Sequence, residues 1–138
     1  MTGEYEHSLD AKGRLFIPAK LREELGNEFF VTVSAERCLT IYPAESWRTF
    51  TRRVDAMPFV RQKKMRPLFS LATRCEPDGQ GRVLLPLSLR EYAGLTREAA
   101  VVGCGSYAEI WDLARWREVN AAEMTPENIA RVMEELEL

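Results

Sequence analysis

The chain carries one motif twice, and this internal duplication constrains its fold more than any other feature. Residues 10–23 return 68 residues later as residues 78–91. The copies agree at Asp, Gly, Arg, Pro, Leu, Arg and Glu, and at a Gly three residues further on. Two copies at so long a period do not make a solenoid. The sequence therefore predicts a small domain duplicated within one chain, a pseudo-dimer.

The length of the chain limits how the two copies can fold. With 138 residues, the chain forms one ordinary domain or two very small ones. A unit of about 50–60 residues buries little surface on its own, so we expect the copies to share one hydrophobic core. We predict a first repeat over residues 1–56, a basic connecting segment over residues 57–67, a second repeat over residues 68–117 and an acidic helical tail over residues 118–138.

Both repeats show the same predicted order of elements: a strand, the Asp-x-x-Gly-Arg turn, a strand, a short helix, a β-hairpin and a helix. Runs of β-branched and aromatic residues indicate the strands. A proline before the short helix and a glycine after it indicate where that helix starts and stops. The strand that opens the second repeat is predicted over residues 69–75. The fold class is therefore mixed α+β, mainly β with short helices.

The acidic tail ends in a predicted amphipathic helix. Thr125 suits the N-cap of this helix and Pro126 suits its first position. Apolar residues then follow at the i, i+3, i+4 and i+7 spacing of one helix face, namely Ile129, Val132, Met133 and Leu136. We expect this stripe to pack on the body of the same chain, with a neighbouring subunit as the alternative.

The Asp-x-x-Gly-Arg turn is the sharpest local signal in the sequence. Asp10 and Asp78 can start a turn by accepting backbone hydrogen bonds on their side chains. Gly13 and Gly81 supply the positive φ of a tight reversal between strands. These four residues explain the turns on folding grounds alone.

The arginine that closes each turn is not needed to make the turn. A guanidinium held at a rigid turn suits bidentate contact with guanine edges or phosphates. The alternative is a local salt bridge, from Arg14 to Asp10 and from Arg82 to Asp78. The pattern alone leaves both interpretations open.

Charge is distributed unevenly along the chain. The net charge of −2 by itself argues against a nucleic-acid partner, which favours a basic domain. Residues 48–74 nevertheless contain eight basic residues and one acid, whereas residues 118–138 contain six glutamates and one arginine. Because local fields steer partners, the basic stretch is either a source of phosphate contacts or a solvated helix face.

Signals of an enzyme or a metalloprotein are scarce. The sequence has one histidine, His7, and neither a P-loop nor a G-x-S-x-G motif. Its three cysteines form no C-x-x-C pair, which disfavours a zinc site or a disulfide framework. No apolar run approaches the ~20 residues that span a bilayer, and no signal peptide is recognisable. We expect a cytoplasmic protein without catalytic activity, cofactor, metal, membrane partner or small-molecule substrate.

Taken together, these motifs resemble the signatures of the MraZ family. The first signature is carried by Gly3, Tyr5, His7, Leu9, Asp10, Lys12, Gly13, Arg14, Ile17, Pro18, Leu21 and Arg22. The second is carried by Phe69, Ser70, Ala72, Asp78, Gly81, Arg82, Leu85, Pro86 and residues 89–93 and 109–111. The resemblance extends from residue 3 to about residue 116, so the tail is its least diagnostic part.

The resemblance implies a swapped-hairpin, AbrB-like β-barrel in which one chain equals an AbrB-type dimer. It also implies a nucleoid-associated bacterial repressor of the division and cell-wall gene cluster. Members form rings, commonly of eight or more chains, that bind repeated boxes of double-stranded DNA upstream of their own operon. Carried over by position, the DNA-facing residues are Lys12, Arg14 and Arg82, with Lys20 and Arg74 as neighbours. Because Gln80 takes the place of Lys12 in the second copy, we expect the first copy to make the stronger contact.

A ring-forming interaction scaffold that binds DNA only incidentally is the competing interpretation. The basic stretch and the acidic tail would also let subunits pair head to tail, because opposite charges steer encounter. A small hydrolase or transferase is disfavoured, since no set of nucleophile, base and orienting group is visible.

Overall fold

The computed structural model describes every residue from Met1 to Leu138. The strands are β1 (Glu4–Ser8), β2 (Arg14–Phe16), β3 (Phe29–Val33), β4 (Leu39–Pro43), β5 (Thr73–Cys75), β6 (Arg82–Leu84), β7 (Glu98–Gly103) and β8 (Ala108–Asp112). The helices are α1 (Ala19–Leu25), α2 (Ala44–Asp55), α3 (Phe59–Lys64), α4 (Arg66–Ser70), α5 (Leu87–Ala93), α6 (Leu113–Glu123) and α7 (Pro126–Glu135). The strands form two antiparallel sheets, and the predicted α+β class is confirmed. None of the helices combines the length and apolar character needed to cross a bilayer.

The strand order of the larger sheet reflects the duplication. Its six strands lie in the order β1-β7-β8-β4-β3-β5, which reads the same in reverse when each strand is replaced by its equivalent in the other repeat. Each repeat lends its first strand to the hairpin of the other, since β1 pairs with β7 and β5 pairs with β3. The two hairpins join through β4 and β8. The chain therefore folds as a strand-exchanged pseudo-dimer.

The smaller sheet is a two-stranded ribbon made of the strands that follow the two turns. β2 pairs antiparallel with β6, and the opposed residues are Arg14 and Leu84, Leu15 and Val83, and Phe16 and Arg82. Side chains alternate along a strand, so the buried Leu15 and Val83 face the core and the other four share the opposite face. The ribbon thereby brings the two turn arginines onto one surface.

The repeats share one hydrophobic core, as their small size predicts. A single cluster of 20 buried residues draws on both repeats. Leu15 and Ile17 from the first repeat lie in this cluster with Leu85 and Leu89 from the second, and all four are fully buried. Because each repeat covers the other's apolar side chains, strand exchange and core formation depend on one another.

The strand predicted over residues 69–75 is shorter than expected. Only Thr73–Cys75 form β5, because α4 extends through Phe69 to its end at Ser70. The ring of Phe69 packs on Trp47 and Phe50, with centroid separations of 5.6 and 5.5 Å. These contacts with α2 hold Phe69 in a helix, although its local pattern favours a strand.

Helices occupy equivalent places in the two halves of the larger sheet. α2 packs on β3 and β4, and α6 packs on the equivalent strands β7 and β8. The predicted connecting segment is helical, since α3 follows α2 and α4 begins at Arg66. α7 follows α6 in the same way. The repeat boundaries at residues 56, 67 and 117 stay predictions.

The last helix, α7, begins as predicted but does not pack as predicted. Thr125 caps it by accepting a hydrogen bond on Oγ1 from the backbone N–H of Asn128 at 3.2 Å, and Pro126 opens it. None of its residues is buried, and its apolar stripe is exposed. The expectation that the stripe packs on the body of the same chain is therefore wrong. Amphipathic spacing shows that a face needs cover, but it does not identify the covering surface.

Candidate nucleic-acid interface

The first Asp-x-x-Gly-Arg turn is closed by the side chain and backbone of its aspartate. Asp10 Oδ1 accepts hydrogen bonds from the backbone N–H groups of Lys12 and Arg14, both at 2.9 Å. The N–H of Gly13 donates to the Asp10 carbonyl at 3.0 Å, and Gly13 has the positive φ of 84° that L side chains disfavour. The aspartate and glycine thus build the turn, as the sequence predicts.

The second turn has the same geometry. Asp78 Oδ1 accepts from the N–H groups of Gln80 at 2.9 Å and Arg82 at 3.0 Å. Gly81 donates to the Asp78 carbonyl at 2.9 Å and has a φ of 79°. The duplication therefore reproduces a backbone shape as well as a sequence.

Both turn arginines form the predicted local salt bridge. Arg14 Nε donates to Asp10 Oδ2 at 2.7 Å, and Arg82 Nε donates to Asp78 Oδ2 at 3.1 Å. Neither arginine donates a hydrogen bond through its terminal Nη groups, although Arg82 Nη1 lies in an ion pair with Asp10. A salt bridge through Nε orients the arginine and leaves its outer edge for a ligand, which makes the two interpretations of the turn compatible.

The local hydrogen bonds keep the turn aspartates ionised. The backbone N–H of Arg14, followed by the Arg14 side chain and the Lys12 N–H, lowers the pKa of Asp10 to about 2, although desolvation opposes the shift. The backbone N–H of Arg82 is the main cause that lowers the pKa of Asp78. Both aspartates therefore remain charged acceptors at a lower pH than an ordinary aspartate does.

The two turns form one surface, here called the twin-turn face, which comprises residues 10–14 and 78–82. Arg14 and Arg82 lie on the same side of the β2–β6 ribbon. Arg82 Nη1 also approaches Asp10 Oδ2 at 3.6 Å, so one carboxylate links the arginines of both repeats. Two oriented guanidinium groups that lie side by side can bind a polyanion or a pair of base edges.

The other predicted site residues differ in their surroundings. Lys12 is exposed at the tip of the first turn and Lys20 is exposed on α1, and neither forms an ion pair. Arg74, on β5, pairs with Glu28 at 3.2 Å and with Glu76 at 2.6 Å. Lys20 and Arg74 form no hydrogen bond or ion pair with the side chains of the twin-turn face, so contacts link only Arg14 and Arg82 directly.

Two further arginines, Arg22 and Arg90, support the turns from behind, and sequence reasoning placed them in the family signatures without giving them a role. Arg22 Nε donates to the Ile17 carbonyl at 2.8 Å, and Arg90 Nε donates to the Leu85 carbonyl at 2.9 Å. Each guanidinium lies over the turn glycine of the other repeat, as shown by where a Cβ on that glycine would fall. A Cβ on Gly13 would lie 2.7 Å from Arg90 Nε, and one on Gly81 would lie 2.8 Å from Arg22 Cζ.

We call this pair of contacts the cross-repeat latch: Arg90 on Gly13 and Arg22 on Gly81. Backbone hydrogen bonds reinforce it, since the N–H of Leu85 donates to the Gly13 carbonyl and that of Ile17 donates to the Gly81 carbonyl, both at 2.9 Å. The repeated Leu-Arg-Glu triplet was the available signal, but only the fold shows that each arginine serves the opposite turn.

Fold and site together define the class: a strand-exchanged pseudo-dimer that presents paired, oriented arginines on one ribbon. The family model described as "MraZ protein, putative antitoxin-like" matches residues 1–66 and 68–133. The chain is 46% identical over 135 residues to the transcriptional regulator MraZ of Carboxydothermus hydrogenoformans, covering 95% of this chain and 94% of the relative. It is 44% identical over 140 aligned residues to that of Pelotomaculum thermopropionicum, covering 99% and 97%.

A third relative, the transcriptional regulator MraZ of Moorella thermoacetica, is 48% identical over 119 residues, with 84% of this chain and 83% of the relative covered. The chain belongs to the MraZ family, and the resemblance seen in the sequence is confirmed. These relatives are named as transcriptional regulators, which points to a role in transcription rather than in catalysis.

Proposed function

We propose that the chain is a sequence-specific DNA-binding repressor that reads repeated boxes in its own promoter with the twin-turn face and acts as a ring of eight or more chains. The observation that carries the proposal is the juxtaposition of Arg14 and Arg82, each held by an aspartate through Nε and without a hydrogen bond at its Nη groups. The family resemblance supports the division and cell-wall gene cluster as the target. It also supports a cytoplasmic, nucleoid-associated location.

The geometry of Arg14 and Arg82 favours base reading over simple charge attraction. Arginine contacts the O6 and N7 atoms of guanine through two parallel N–H groups. The hydrogen bond from Nε restricts the orientations of each guanidinium before DNA arrives, which reduces the entropy lost on binding. A β-ribbon can enter the major groove, and the β2–β6 ribbon carries both arginines on its outer face.

The remaining predicted residues supply affinity rather than sequence reading. Lys12 and Lys20 are exposed cations without ion pairs, and such cations contact phosphates without distinguishing bases. Arg74 also contacts DNA phosphate if the phosphate displaces Glu28 and Glu76 from its guanidinium. Because Gln80 stands opposite Lys12 in the duplication, the first turn carries one more positive charge and makes the stronger contact.

Assembly into a ring accounts for DNA binding by a chain of net charge −2. A single twin-turn face makes few contacts and binds weakly on its own. Linking several faces at a spacing that matches the boxes raises avidity by roughly 10²–10⁴ without any new contact. A small cationic face repeated around a ring is therefore sufficient.

The experiment compares promoter binding by wild-type protein and Arg14→Ala in gel shifts at physiological salt, with scrambled DNA as competitor. We expect Arg14→Ala to lose about tenfold or more in affinity for each box, since a bidentate arginine contributes roughly 1–3 kcal/mol of base discrimination. Arg117→Ala is the matched control, because Arg117 also pairs with one carboxylate, Glu6 at 3.2 Å, but lies on α6. Promoter binding by Arg14→Ala at the wild-type level would refute the proposal.

The exposed stripe of α7 favours one alternative, a ring-forming scaffold that binds proteins and contacts DNA incidentally. The same gel shifts separate the two functions. A repressor prefers its promoter over scrambled DNA, whereas an incidental binder retards both fragments equally and loses both together as salt rises.

A further inference from the structure

The outer face of the β2–β6 ribbon carries apolar side chains beside its arginines. In the register of the ribbon, Arg14 lies opposite Leu84 and Phe16 lies opposite Arg82. Side chains directly opposite one another on antiparallel strands have their Cβ atoms about 4.5–5.5 Å apart. Each turn arginine therefore has an apolar side chain of the other repeat as its cross-strand neighbour.

The two apolar residues occupy equivalent positions in the repeats, but they differ in how far they are covered. The ring of Phe16 is half-buried, since His7 packs on it with the ring centres 4.9 Å apart and the guanidinium of Arg22 lies 5.4 Å from its centre. Leu84 is 57% exposed and belongs to neither cluster of buried side chains. A single exposed leucine is common on protein surfaces, but this one adjoins an arginine that we propose to bind DNA.

The base edges in the major groove offer a ligand to each member of the Arg14–Leu84 pair. Guanine presents O6 and N7 to an arginine, and thymine presents its C5-methyl group to an apolar side chain. Successive base pairs lie about 3.4 Å apart along the duplex, so two side chains at the cross-strand separation reach neighbouring base pairs. A leucine cannot form a hydrogen bond with the polar edges of other bases, and covering such an edge without a partner costs free energy.

We propose that Leu84 is a specificity-determining residue that contacts the C5-methyl group of a thymine beside the guanine bound by Arg14. The second repeat thereby adds an apolar contact to the base reading by the arginine of the first repeat. Arg82 has no equally open neighbour, because His7 and Arg22 cover Phe16. The inference rests on the proposed function and deepens it, because it names a second base that the ribbon distinguishes.

The test uses deoxyuridine, which differs from thymidine only in lacking the C5-methyl group. The shortest promoter fragment that the wild-type protein retards in gel shifts is prepared with either nucleoside, and each version is titrated with wild type and with Leu84→Ala. Burial of one methyl-sized apolar group corresponds to about fourfold in affinity. We therefore expect the wild type to bind the deoxyuridine fragment about fourfold more weakly for each box, and Leu84→Ala to bind both fragments equally.

Two further variants separate the methyl contact from effects of deoxyuridine on DNA shape. Leu87→Ala removes a leucine that is also 57% exposed but lies on α5 rather than on the ribbon, and it should keep the wild-type preference for thymidine. Leu84→Met retains an apolar side chain of similar volume and should keep the preference as well. Tm and circular dichroism verify that every variant folds.

The opposing outcomes are distinct from failure of the proposed function. A wild type that binds both fragments equally, or an equal loss on deoxyuridine in wild type and Leu84→Ala, would overturn the inference. Loss of the thymidine preference in Leu87→Ala alone would assign the methyl contact to α5 and overturn it too. In each case the wild type still prefers its promoter over scrambled DNA, so the proposed function stands. A wild type without that preference would overturn both.

Discussion

Gly13 shows how tightly the two repeats fit at the scale of one residue. Its φ of 84° lies in the region that favours glycine, and the guanidinium of Arg90 from the other repeat occupies the space where a side chain would begin. Glycine is therefore required twice over, once for the turn and once for the latch. The same residue also precedes Arg14, so a distortion at Gly13 would also displace the turn arginine.

We predict that Gly13→Ala destabilises the protein by more than the ~1–2 kcal/mol that a left-handed backbone costs an L residue. Gly105→Ala is the matched control, because Gly105 has a φ of 86° but open space where its Cβ would lie. Urea unfolding should give Gly13→Ala a lower free energy of unfolding than Gly105→Ala. Removing the Arg90 side chain in the Gly13→Ala background should recover part of this extra loss of stability, as a double-mutant cycle would show. Equal destabilisation by both glycine variants would contradict the latch.

At the scale of elements, the two faces of the β2–β6 ribbon have different surroundings. Its inner face carries Leu15 and Val83 into the shared core, and its outer face carries the turn arginines. Since neighbouring residues on a strand face opposite ways, one short ribbon contributes both to the core and to the surface that we propose for DNA. A substitution on the inner face should therefore lower stability more than a substitution on the outer face.

We predict that Leu15→Ala lowers the free energy of unfolding by about 2–5 kcal/mol, because Leu15 is fully buried and its loss leaves a cavity. Leu84→Ala, on the outer face and 57% exposed, should change it by only about 0.5 kcal/mol or less. Chemical denaturation monitored by tryptophan fluorescence measures both. Similar losses for the two variants would show that the ribbon is not divided in this way.

At the scale of the whole molecule, the pseudo-dimer is symmetric in backbone and asymmetric in charge. Symmetry places the twin-turn face on a ribbon drawn equally from both repeats. The charge is asymmetric, because residues 44–70 contain seven arginines and lysines against two acids and residues 113–138 contain six glutamates against three arginines. The proposed DNA-binding face lies on neither of these segments, so the turns and the charged segments can be altered separately.

We predict that the wild-type protein binds a promoter fragment with two boxes far more tightly than one with a single box, by roughly 10²-fold or more from avidity. At protein concentrations at which light scattering gives the mass of a monomer, this ratio should fall to near unity, because separate chains do not link the two boxes. A ratio that stays high at these concentrations would separate box recognition from assembly.

Sequence reasoning predicted the features that depend on local chemistry. The aspartate and glycine of each turn, the α+β class and the cap of α7 at Thr125 all follow from the preferences of residues close together in the chain. The predicted length of β5 was wrong because Phe69 packs on Trp47 and Phe50 of α2. The predicted packing of α7 was wrong because an apolar stripe does not specify the surface that covers it.

The sequence by itself determined that this protein has two copies of one turn, each built by an aspartate and a glycine and ending in an arginine. Only the tertiary structure decided that the copies exchange strands, that Arg14 and Arg82 meet on one ribbon, and that Arg22 and Arg90 each support the opposite turn. The physical reason is the range of the interactions. A turn is closed by bonds that span four residues, whereas strand pairing and latching join residues that are close only after the shared core has formed.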